Sequence, residues 1–137
     1  MNEFWVDVYL NPNPAPTYVN QTWNQLGSQG LVWGVTETAL PQLAPSGVLT
    51  LTLTDGYYQP DYSNVSWPLP AGVPVYAQVD SADALTTWGA VLENHEILGG
   101  LYNNILGPVY VSSAGTTSDA PQAPKAMQDS GHLPPRP

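Results

Sequence analysis

The chain has 137 residues, 42% of them hydrophobic, enough for one domain that buries roughly two-thirds of the surface its unfolded form exposes. With 11 acidic residues against 2 basic ones, its surface repels nucleic-acid backbones and anionic lipid headgroups, which argues against both as partners. It contains no cysteine, so no disulfide framework exists and the redox compartment stays open.

Charge is unevenly placed. Both basic residues, Lys125 and Arg136, fall near the end of the sequence, and residues 1 to 113 carry nine acids with no Lys or Arg. Cations and neutral sugars are the partners such a body permits. Charged residues make up only 9%, while Thr, Ser, Asn, Gln and Gly are abundant, a profile of extracellular β-rich modules rather than helical bundles. The start MNEFWVDVYL lacks the basic residues and long apolar run of a signal peptide, and no run of about 18 apolar residues suggests a membrane span.

In chain order, FWVDVYL (4 to 10) alternates Phe4, Val6, Val8 and Leu10 with Trp5, Asp7 and Tyr9, the period of two that predicts a half-buried strand. Residues 11 to 30 contain Pro12, Pro14 and Pro16 and read as a long loop. LVWGVTE (31 to 37) is the next predicted strand. After a turn at Ser46-Gly47, VLTLTLTD (48 to 55) sets Leu49, Leu51 and Leu53 against Thr50, Thr52 and Thr54, which predicts a strand with leucines inward. GYYQPDYSNVSWPLPAG (56 to 72) reads as an irregular connection, VPVYAQVD (73 to 80) as a strand with Pro74 near its start, and VYVSS (109 to 113) as the last strand. Helix signals are almost absent, and His95 is placed in a strand.

From Ala114 the sequence turns Pro-rich, loses its aromatics and holds few apolar residues, so it cannot offset its ordering entropy. The alternative reading of Pro134-Pro135-Arg136-Pro137 is a Pro-rich ligand for a groove. Together these elements predict an all-β fold, an antiparallel immunoglobulin-like β-sandwich of about six to seven strands over residues 1 to 113, with a flexible Pro-rich tail over 114 to 137.

The segments FWVDVYLNP, PSGVLTLTL, VPVYAQVDS (73 to 81), GAVLENHEI (89 to 97) and YNNI (102 to 105) occur in an order and spacing that resembles the CARDB family, bacterial cell-adhesion-related β-sandwich modules. The resemblance spans residues 4 to about 113. It matches Val79-Asp80 to a strand end, Glu93 and Glu96 to an E-x-x-E element, and Asn103-Asn104 to the paired Asn before the last strand. Family members usually begin with two further strands, and this chain starts directly at FWVDVYL. That departure implies an open strand edge there and self-association by strand addition.

The polar residues suggest little chemistry. Asp80, Asp83, Glu93 and Glu96 lie in a region with no Lys or Arg, and hard cations such as Ca²⁺ take six to eight oxygens from such groups. The EF-hand pattern is missing, and turn-holding hydrogen bonds are the competing explanation for all four. A second His near His95 is lacking for zinc, and no nucleophile elbow, P-loop or glycosidase cleft is evident. Tyr57, Tyr58, Tyr62 and Trp67 fall in a loop where aromatics suit sugar stacking or protein contact. The expectation is therefore a non-enzymatic extracellular structural or adhesion module of a bacterial surface protein, acting by surface or strand-edge contacts and self-assembling. A carbohydrate-binding module using those aromatics, with structural Ca²⁺, is the alternative.

Overall fold

The computed structural model describes residues 3–36, 46–112 and 133–137. Among them the protein is mostly β. Strands β1 (Phe4–Leu10), β2 (Gln29–Val35), β3 (Pro74–Val79) and β4 (Ile105–Tyr110) form one antiparallel sheet in the order β2-β1-β3-β4. Two single-turn helices, α1 (Trp23–Leu26) and α2 (Asn94–Ile97), lie in the connections.

The alternation in β1 assigns its faces correctly. Val6 lies across from Trp33 of β2, and Val8 from Leu31; Val6, Leu31, Trp33 and Val35 form one buried cluster, against which Phe4 and Val8 pack. Trp5 joins Val32 and Ala82 on the opposite face. The expected half-exposure does not hold, because Trp5, Asp7 and Tyr9 are all buried. At β1 and β2 the sheet is covered on both sides.

β1 is also not an open edge. It pairs along its length with β2 on one side and from Val6 to Leu10 with β3 on the other, so the strand edge expected at FWVDVYL is closed over that range within the chain. The sheet edges are β2 and β4. The edge of β2 is occupied by residues 57–64: Gly34 N–H donates to Tyr57 O at 2.9 Å, Gln59 N–H to Val32 O at 2.9 Å, and Gly30 and Asn64 exchange bonds of 2.8 and 2.9 Å. The edge strand β4 shifts register against β3 between Val75 and Ala77, and its Pro108 has no N–H to offer a neighbour.

The segment 48–55 is not a strand. Leu49, Leu51 and Leu53 do turn inward onto the Val6–Trp33 cluster while Thr50, Thr52 and Thr54 stay exposed. Yet the backbone is held by side chains instead of a ladder: Trp33 Nε1 donates to Thr52 O at 2.8 Å, and the Asp55 carboxylate accepts from the amides of Thr52, Tyr57 and Tyr58. A period of two reports which way side chains point along an extended chain, not whether that chain is paired. The layer over this face is thus an irregular segment, and among the described residues no second sheet completes a sandwich.

Residues 94–97 form a helical turn, α2, in place of the expected strand. Glu93 and Glu96 make a reciprocal capping box, each side chain satisfying an amide of the turn.

Candidate functional site

The second face of the sheet carries a buried carboxylate. The period of β1 points Asp7 inward between Trp5 and Tyr9, and its side chain is 0% exposed. Ser81 Oγ donates to Asp7 Oδ1 at 2.6 Å. The remaining donors come from the far end of the sequence: Arg136 Nη1 and Nη2 bond the two carboxylate oxygens at 2.7 Å each, a bidentate pair.

Leu133–Pro137 lies along a cleft built around that pair. Leu133 packs against the Trp5–Val32–Ala82 cluster directly over Gly34, where a Cβ would collide with it. Trp5 Nε1 donates to Pro134 O at 2.6 Å, and the amide of Ala84 donates to Pro135 O at 2.7 Å. A proline offers a carbonyl but no N–H, so a surface that holds one must donate, and both protein groups do. The Arg136 guanidinium sits 4.9 Å from the Trp5 ring centroid and 5.9 Å from that of Tyr62, with the two rings edge to face at 5.4 Å. Beyond Arg136 an open pocket of about 270 Å³ is lined by Thr22, Trp23, Asn24, Tyr62, Arg136 and Pro137. Trp23 packs against Gly30, where a Cβ would collide with it, and donates from Nε1 to Tyr62 O at 2.8 Å. Of the segment read as a tail, residues 114–132 lie outside the described residues.

Deeper in the same face, Tyr9 Oη is 2.6 Å from Gln78 Oε1 and 2.8 Å from Gln21 O, while Gln78 Nε2 donates to Tyr18 O at 3.0 Å and to Tyr102 Oη at 2.5 Å. Burial pushes the phenols of Tyr9 and Tyr102 well above the ordinary value of 10.0. This network links β1, β3 and two loops.

The four acids considered for Ca²⁺ are occupied with turns. The Asp80 carboxylate accepts from the amides of Ala90 and Val91 at 2.8 Å each, in a pocket that Gly89, at φ +97°, leaves free of a side chain. Burial pushes the Asp80 carboxyl up, those two amides pull it down, and Asp83 and Glu96 add to the rise. Asp83 Oδ1 accepts from Leu85 N, and Glu93 and Glu96 cap α2, with Glu93 Oε2 also 3.1 Å from His95 Nδ1. Among the described residues no group of three or more His, Asp or Glu side chains can share a metal ion.

The loop aromatics divide. Tyr57 and Tyr58 pack onto the core, Tyr58 with its ring 5.6 Å from that of Trp33, so neither stands free as a platform. Tyr62 lines the cleft, and Trp67 is a third exposed on the surface. The residues that build the cleft, Trp5, Asp7, Trp23, Ser81 and Arg136, were not singled out as a site. The signal in the sequence is an acid flanked by Trp5 and Tyr9 on its face of β1, in a body with no Lys or Arg of its own.

A second feature lies on the β4 side. Leu98, Leu101, Leu106, Val109 and Tyr110 are each at least 60% exposed, and residues 97–113 contain no charged side chain. No helix among the described residues is long and apolar enough to cross a membrane. No family model, curated protein or solved structure matches the chain.

Proposed function

We propose that the protein is a non-enzymatic structural or adhesion module that works by surface contact and self-association outside the cell, as the likeness to bacterial CARDB modules implies. The observation that carries this reading is the uncharged apolar strip from Leu98 to Tyr110. Exposed apolar groups gathered on one edge favour a protein partner. The occupant is a second copy: all nine acids of residues 1 to 113 lie outside this exposed strip, and copies meeting through it keep those acids apart. Contact is by side-chain packing, because the Pro108 irregularity blunts β4 for ladder extension. In this reading the segment 48–55, whose leucines pack on the Val6–Trp33 face, stands where the second sheet of an immunoglobulin-like sandwich would stand.

Light scattering coupled to size exclusion over a concentration series tests the proposal. The expected result is a mass that rises with concentration and that the double substitution Leu106→Ser, Val109→Ser returns to the monomer. A constant monomer mass for the unsubstituted chain overturns it.

A second reading, carbohydrate binding, is favoured by the pocket where Trp23 and Tyr62 stand beside Asn24, Thr22 and Arg136. It predicts that a soluble polysaccharide changes tryptophan fluorescence and that Trp23→Ala abolishes the change.

A further inference from the structure

We propose that the cleft around Asp7 is a recognition site for a Pro-Pro-Arg-Pro segment, filled in cis by Leu133–Pro137 and able to take the same segment from a second copy of the chain. The proposal stands apart from the apolar strip on β4.

Three observations carry it. The contacts are those of peptide recognition: two protein donors meet two successive proline carbonyls, an apolar side chain fills the space over Gly34, and a guanidinium stacks on aromatic rings while it chelates a carboxylate. The carboxylate is wholly buried in the middle of a central strand, where a charge requires a partner. And the body cannot supply that partner, since no residue from 1 to 113 is Lys or Arg. The sheet is thus built around a socket for a cation that must arrive from outside it. Residues 113–132 join the sheet to the segment and span at most about 70 Å when extended, a reach that permits the segment's own cleft or a neighbour's.

Complementation between full-length variants tests this. Asp7→Asn spoils the socket and leaves the segment; Arg136→Ala spoils the segment and leaves the socket. After circular dichroism confirms that both are folded, each is run alone and then mixed in size exclusion with light scattering. The expected result is a 1:1 complex in the mixture that neither variant forms alone. Association through the β4 strip would be equal in all three samples, so the two ideas separate.

A second measurement needs no variant. A blocked Leu-Pro-Pro-Arg-Pro peptide in excess is expected to shift the Trp5 indole N–H resonance of the unsubstituted chain, with the peptide carrying citrulline in place of Arg binding about tenfold more weakly or worse. The Arg136→Ala chain, freed of its competing tethered segment, is expected to bind the Arg peptide at least about tenfold more tightly than the unsubstituted chain does. Equal binding of the Arg and citrulline peptides, no response to either, or a mixture that stays monomeric overturns the proposal.

Discussion

Asp7 is the residue on which the second face depends. Its carboxylate is fully buried, with one hydroxyl and one guanidinium as partners. Removing one member of such a pair typically costs about 3–5 kcal/mol, because the other charge is left buried and alone. For Arg136→Ala that range is an upper limit, since release of the segment lets water back to the carboxylate; urea unfolding measures it. The double substitution Asp7→Leu, Arg136→Met is expected to recover most of the loss, as an apolar pair of similar size carries no desolvation cost. The buried phenols set a different limit. Tyr9 and Tyr102 keep their protons in the folded protein, whereas in the unfolded chain they release them near pH 10. Stability therefore falls as the pH rises past that value. Tyrosinate absorbance and circular dichroism, followed together in an alkaline titration, should show these two phenols ionising only as the sheet unfolds.

At the scale of elements, the leucines of 48–55 test what holds an unpaired segment in place. Leu51→Ala is expected to cost about 1–2 kcal/mol in urea unfolding, below the 2–5 of a fully buried leucine because the residue is only half-buried. Thr50→Val, on the exposed side, should change stability by less than about 0.5 kcal/mol. The same segment shows what could be read from the sequence. The facing of Leu49, Leu51 and Leu53 was legible because side-chain direction is local, whereas pairing was not, because Trp33 from outside the run and Asp55 at its end hold the backbone in place of a ladder. β1 and β3 were located to within a residue by their alternation. The position of β1 in the centre of the sheet was not, since strand order is a non-local property. The cleft was hidden for the same reason: Asp7 and Arg136 lie 129 positions apart, and neither β1 nor a short Pro-rich run reveals the other.

Across the whole molecule, charge and apolar surface pull in opposite directions. A net charge of −9 keeps copies apart at low salt, and the neutral β4 strip draws them together. Salt screens the first and leaves the second. Self-association through the strip is therefore expected to strengthen between low and physiological ionic strength, which sedimentation at several salt concentrations would show. A fall in association over that range would point instead to contacts between opposite charges.

The socket at Asp7 has one more consequence. Its natural occupant presents the same ion that guanidinium salts release into solution. A chain with Arg136→Ala holds an empty seat for that ion, and a ligand that binds only the folded form stabilises it by mass action. Small amounts of guanidinium chloride should then raise the melting temperature of the variant, where equal sodium chloride does not, before higher concentrations unfold it. For this one variant, a denaturant would begin its titration as a prosthesis.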